Sequence, residues 1–139
     1  MITTVTKEVT FDAAHRLSFH KGKCHNLHGH TYKLCLTLAC KDLKDNMVLD
    51  FYELKQILNS VVEKYDHTTM LYEGDKKNHK LFETMKELGL KVLLFPYEPT
   101  VENMSRDFMT YFRELGLPVT KVTMFETPTS YAEVISDGV

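Results

Sequence analysis

Long apolar runs are missing from this chain: no stretch approaches the roughly 20 apolar residues that a membrane-spanning helix needs. The first residues, Met1-Ile2-Thr3-Thr4-Val5-Thr6-Lys7-Glu8, also lack the basic-then-apolar order of a secretory signal. Cysteine is scarce. Cys24, Cys35 and Cys40 form an odd set without framework spacing, which argues against a secreted disulfide scaffold and for a reducing compartment, so a cytoplasmic location is expected. Charge of one sign is missing too. With 17 basic and 19 acidic side chains the net charge is −2, too weak a field to draw the whole molecule to nucleic acid or an anionic membrane, and neither partner is expected. Repeats, linkers and low-complexity tracts are absent as well. The 139 residues, 43% hydrophobic, therefore read as one domain long enough to bury a core.

What is present is alternation at both ends and helical periodicity between. From Ile2 to about Leu17, Val5, Val9, Phe11, Ala13 and His15 share one parity in a Thr- and Val-rich stretch, the pattern of a strand. His28 to about Lys41 repeats it, with His28, His30, Tyr32, Leu34, Leu36 and Leu38 on one face and Lys33, Cys35 and Thr37 on the other. The polar loop Ser18 to Leu27 joins them as an antiparallel pair. Asp50 and Glu53 have capping-box spacing, and Phe51, Leu54, Leu58, Val61 and Tyr65 recur at helical period, predicting a helix over Phe51 to Tyr65. Thr100 caps a second helix, striped by Val101, Met104, Phe108, Tyr111 and Leu115 and stopped by Gly116 and Pro118. Between them, Leu81, Phe82, Met85 and Leu88 suggest a short helix ended by Gly89, and Lys91 to Phe95 a buried strand. Val119 to Glu126 and Tyr131 to Ile135 alternate around Thr127-Pro128-Thr129, a closing hairpin. The expected fold class is α+β, an antiparallel four-stranded sheet with two helices on one face. Its open edges point to closure by assembly with other subunits.

Seven histidines are many for this length, and four of them lie between His15 and His28. His28-Gly29-His30 puts two imidazoles on one face of a strand. If the first two strands pair, His15 near the end of one meets His28 near the start of the next, while Gly29 lets another backbone or a substrate come close. Three imidazoles suit zinc and leave a fourth position open, as catalytic zinc sites do. Two plainer readings stand beside this one. A His-X-His on a strand can be accidental, and Cys24, in Cys24-His25-Asn26-Leu27-His28, can complete a closed structural site. Cys35 and Cys40, each inside a strand pattern, read as small buried hydrophobes. Asp66-His67 after the first helix is either a proton-shuttling pair or helix-end polarity. Glu126 shares the parity of Val122 and Met124, a costly placement for a carboxylate unless it is paired. Arg16, His20, Lys21 and Lys23 make a locally basic loop, suited to a phosphorylated ligand or merely solvated.

The motifs Phe11-Asp12-Ala13-Ala14-His15-Arg16-Leu17 and Cys24-His25-Asn26-Leu27-His28-Gly29-His30-Thr31-Tyr32 resemble the signature of the 6-pyruvoyl-tetrahydropterin synthase / 6-carboxytetrahydropterin synthase family. Tyr65-Asp66-His67, Pro99-Thr100-Val101-Glu102-Asn103 and Glu126-Thr127-Pro128-Thr129-Ser130 are similar to its later motifs, in the same order. The resemblance spans nearly the whole chain, with the stretch at about 72–98 longer than in the family's shortest members. It implies a single tunnelling-fold (T-fold) domain over 1–139 with an insertion there. It also implies sheets joined into a trimeric or hexameric barrel, and active sites between subunits.

The same resemblance implies a reaction and a role for each site residue. Zinc is held by His15, His28 and His30. Cys24 is the base, in a loop whose Lys21 and Lys23 give the cationic setting that favours thiolates. Asp66 and His67 relay protons with it. Glu126 grips the pterin ring through two hydrogen bonds and joins the relay, while Thr100 and Glu102 help hold the ring or simply open the helix. The interval His25-Asn26-Leu27 matches the carboxy-forming branch. That branch converts 7,8-dihydroneopterin triphosphate to 6-carboxy-5,6,7,8-tetrahydropterin, with release of acetaldehyde and triphosphate, toward queuosine. The alternatives are the pyruvoyl-forming elimination of triphosphate, a non-catalytic zinc-stabilised binding module, and a zinc hydrolase that needs no cysteine.

Overall fold

The computed structural model describes residues 1–136. Its elements run β1 (Thr3–His15), β2 (His28–Cys40), α1 (Phe51–Tyr65), β3 (Thr68–Tyr72), α2 (Lys76–Glu87), β4 (Val92–Phe95), α3 (Val101–Glu114), β5 (Val119–Thr127) and β6 (Ser130–Ile135). β1 and β2 pair antiparallel without a break from Thr3↔Cys40 to His15↔His28, as their alternation predicts. Residues of one parity then gather on one face. Phe11, Ala13, Tyr32, Leu34, Leu36 and Leu38 meet the stripes of α1 (Leu54, Leu58, Val61, Tyr65) and α3 (Met104, Phe108, Phe112) in a single apolar core. The central strand β2 is shielded on its other face as well: Cys35 and Thr37 are buried, beside Glu8 and Thr6 respectively.

Both long helices start where side-chain capping predicts. The Asp50 carboxylate accepts the Tyr52 N–H at 2.8 Å, and the Thr100 hydroxyl accepts the Asn103 N–H at 3.2 Å. α3 ends at Gly116, whose φ of +85° is a conformation that side chains resist.

The α+β class holds, but the four-stranded, two-helix layout is corrected. The described residues form a six-stranded sheet, in the order β4-β3-β1-β2-β5-β6, and three α-helices. The stretch from Thr68 to Phe95 makes the difference. β3 pairs parallel with β1 from Ala13↔Thr68 to His15↔Met70, and β4 pairs parallel with β3, so the sheet is mixed. β3 carries no alternation because Thr68, Thr69, Met70 and Leu71 are all buried, as expected of a short strand covered on both faces. No described helix is long and apolar enough to cross a membrane.

Candidate active site

The β1–β2 register sets His15 opposite His28 and Ala13 opposite His30 at one end of the sheet. His15 is fully buried, and its Nδ1 donates to the Pro99 carbonyl at 2.8 Å, with the Tyr32 hydroxyl 3.2 Å from the same nitrogen. His28 Nδ1 donates to the Asn26 carbonyl at 2.8 Å. A carbonyl only accepts, so in the neutral form of either ring the proton sits on Nδ1 and Nε2 presents a bare lone pair. These two Nε2 atoms stand 3.1 Å apart, an arrangement that repels unless a cation lies between them. His30 Nε2 completes the set: it is buried without a hydrogen-bond partner and lies 3.6 Å from Glu126 Oε1.

One nitrogen from each of the three rings lies within 4.8 Å of the others. Two ligands of a tetrahedral zinc, each ~2.0–2.1 Å from the ion, stand about 3.3 Å apart, so this donor set fits such an ion. Electrostatics favour the ligating form. Burial drives His15 down to about 4 against the pull of its Pro99 hydrogen bond, and the two neighbouring imidazoles push the same way. Burial also lowers His30, while the Glu126 carboxylate opposes the shift. Gly29 lies between His28 and His30 as expected of a close approach: a Cβ there would meet the Ala13 carbonyl oxygen at 3.3 Å.

Cys24 sits half-buried in a single 3-10 turn, Lys23–His25, and its carbonyl accepts the Leu17 N–H at 2.9 Å. It is not part of the three-histidine group, so the geometry does not support a closed site with Cys24 as fourth ligand. Asp66 ends α1. Its Oδ1 accepts the Asp12 N–H at 2.8 Å, and its Oδ2 accepts from His67 Nδ1 at 2.8 Å. The Asp12 hydrogen bond, then the one from His67, holds the Asp66 carboxyl below the usual carboxylate range. The His67 N–H returns to the Asp12 carbonyl at 2.6 Å, with His67 at φ +61°. His67 and His30 line one open cleft of about 450 Å³ together with Asp12, Gly29, Thr31 and Thr69.

The structure thus brings the three histidines together, sets Glu126 beside His30 and puts His67 on the same cleft as His30. Cys24 is not on that cleft's wall, and among the described residues no hydrogen bond joins it to His67. Thr100 is occupied as the cap of α3, and Glu102 is exposed in the first turn of that helix. Arg16 departs from the basic-loop reading. It is 8% exposed and its guanidinium is held by Asp75 at 2.9 Å and Asn78 at 2.7 Å, which leaves His20, Lys21 and Lys23 as the exposed members of that group. Sequence reasoning missed the Pro99 carbonyl, a backbone acceptor with no residue-type signal. It also missed Glu98, which accepts from both the backbone and the hydroxyl of Ser18.

A model of the 6-pyruvoyl tetrahydropterin synthase family matches residues 4–136. A Rickettsia bellii protein named 6-carboxy-5,6,7,8-tetrahydropterin synthase is 36% identical over 136 residues, covering 93% of this chain and 97% of the relative. A protein of that name from Haemophilus influenzae is 34% identical, covering 93% and 96%. Among solved structures, an uncharacterized Wolinella succinogenes protein superposes with a TM-score of 0.89 at 22% identity, over 99% of each chain. The 6-pyruvoyl tetrahydropterin synthase of Plasmodium vivax does so with a TM-score of 0.74 at 22% identity, over 96% of this chain and 97% of that one. The chain belongs to the 6-pyruvoyl tetrahydropterin synthase family.

Proposed function

We propose that this chain is a zinc-dependent carbon–carbon lyase. It converts 7,8-dihydroneopterin triphosphate and one water to 6-carboxy-5,6,7,8-tetrahydropterin, acetaldehyde and triphosphate, as a cytoplasmic step toward queuosine. The observation that carries the reading is the pair of facing Nε2 atoms of His15 and His28 with the unpartnered His30 nitrogen beside them. His15, His28 and His30 would hold the metal. A zinc held there would supply Lewis acidity that makes the substrate's side-chain hydroxyls easier to deprotonate.

The protein's own groups do the rest. Cys24 takes the proton as general base. Asp66 accepts from Nδ1 of His67, which leaves Nε2 of that ring free to accept and return a proton as the relay. Glu126, next to His30, takes two hydrogen bonds from the pterin's amino group and ring N–H, with Thr100 and Glu102 at the ring's edge. The relatives' names and the interval His25-Asn26-Leu27 favour the carboxy product over the pyruvoyl one.

In this reading the whole chain is one pterin-synthase-like domain with 72–98 inserted, and a second copy completes each site by bringing its Asp66-His67 to Cys24. Strand edges support such an assembly. β3 covers β1 only at Ala13–His15, so from Thr3 to Phe11 the outer edge of β1 has no strand partner among the described residues, nor has the outer edge of β6. Copies joined through these edges build a trimeric barrel, and two trimers a hexamer.

The test is Cys24→Ala, assayed anaerobically on 7,8-dihydroneopterin triphosphate with bound zinc measured alongside. The lyase reading expects turnover lost and zinc retained. Loss of zinc would return Cys24 to a ligand role, and retained turnover would point to hydrolysis without the cysteine.

A further inference from the structure

Among the residues of α2 only Asn78 is fully shielded from solvent, and it is polar. Its side-chain amide donates to the Tyr72 carbonyl at 2.8 Å, and its oxygen accepts from Arg16 Nη1 at 2.7 Å. Asp75, the cap of α2, accepts from the same Nη1 at 2.9 Å, while its other oxygen accepts the Lys77 N–H at 3.0 Å. The rest of the guanidinium turns the opposite way. Nε donates to the His25 carbonyl at 3.2 Å, and Nη2 lies 3.3 Å from His25 Nδ1, which is thereby the acceptor. His25 directly follows Cys24, and Arg16 directly follows the ligand His15.

We propose that Arg16, braced by Asp75 and Asn78, is a positioning residue that fixes the Cys24 turn relative to the three histidines. The inference rests on the reading of Cys24 as the catalytic base. Three observations carry it. The 3-10 turn is only three residues long and buries none of its side chains, so its own packing does not hold it. Among the described residues its other tethers are two hydrogen bonds, from the Leu17 N–H to the Cys24 carbonyl and from His28 Nδ1 to the carbonyl of its C-cap Asn26, and neither holds the side of the turn that faces α2. A guanidinium taken out of water is costly unless several acceptors meet it, and here four atoms of Asp75, Asn78 and His25 do so on a rigid planar fork that a lysine does not reproduce. α2 therefore acts on the site through Arg16 without touching substrate.

The experiment compares wild type with Asn78→Ala, Arg16→Lys and Asp75→Asn. It reads kcat and KM, the rate of iodoacetamide alkylation of Cys24 by peptide mass, and hydrogen exchange of the Leu17, His25 and Asn26 amides. Release of the turn is expected to lower kcat by about 10- to 100-fold in Asn78→Ala, with KM and bound zinc near wild type. Cys24 alkylation and exchange of those three amides should both quicken several-fold. Arg16→Lys should not restore wild-type behaviour, and Asp75→Asn, whose one acceptor oxygen keeps the cap while its amide nitrogen no longer accepts from Arg16, should show the same changes on a smaller scale because Asn78 still holds the guanidinium. Wild-type kcat, alkylation and exchange in a folded Asn78→Ala or Arg16→Lys would overturn the proposal. If those two do not fold, Asp75→Asn decides by the same readouts. If wild type itself shows no turnover, the lyase reading fails, and the alkylation and exchange rates still judge the positioning.

Discussion

Helices α2 and α3 are close in length, 12 and 14 residues, and are held to the protein by opposite means. α3 buries Val101, Met104, Ser105, Phe108, Met109 and Phe112, a continuous stripe against the sheet, whereas α2 buries Asn78 alone. Apolar burial is non-directional and supplies most of the folding free energy. A buried hydrogen-bonded fork supplies less net stability but fixes positions. The difference teaches a division of labour: the α1–α3 layer makes the fold stable, and α2 makes one loop of it well placed.

The sharpest way to break that comparison is to cut each helix in turn. Phe112→Ala removes a fully buried ring from α3 and should cost about 3–5 kcal/mol, measured by urea unfolding. A cost below that of an exposed site would show that α3 is not the structural helix. Acid comes next, through His15, which is anchored to the start of α3 by Pro99. In metal-free protein its folded value of about 4 lies below the ordinary 6.5, so the unfolded chain takes up the proton first. Stability from this group is therefore complete above about pH 6.5 and is lost as pH falls toward 4, a total on the order of 3 kcal/mol, readable as a falling urea midpoint. A midpoint flat over that range would contradict the burial argument. The smallest effect is expected on α2. Leu81 is only half-buried, so Leu81→Ala should shift stability by about 0.5–1 kcal/mol, and a loss comparable to Phe112→Ala would erase the contrast.

What was legible in the sequence follows the same division. β1, α1 and α3 each bury one face, and β2 and the β5–β6 hairpin keep alternating residue types although the middle of β2 is covered on both faces, so periodicity reports them, and the in-phase ends of β1 and β2 brought His15 to His28. β3, buried on both faces, left no alternation to read. α2 was sensed through Leu81, Phe82 and Met85, but its link to the site was not, because Asn78 and Arg16 become partners only once α2 is laid beside the loop after β1. The same holds for the ligand geometry. Three histidines at the right spacing are visible in the sequence, but the two carbonyls that fix their tautomers, Pro99 and Asn26, belong to the backbone and carry no residue-type signal.

The most direct test of the account is to incubate the zinc-loaded protein with 7,8-dihydroneopterin triphosphate without oxygen and to identify both products by mass. The account predicts acetaldehyde and 6-carboxy-5,6,7,8-tetrahydropterin in equal amounts. A pyruvoyl pterin without acetaldehyde, or no conversion with zinc bound, would contradict it.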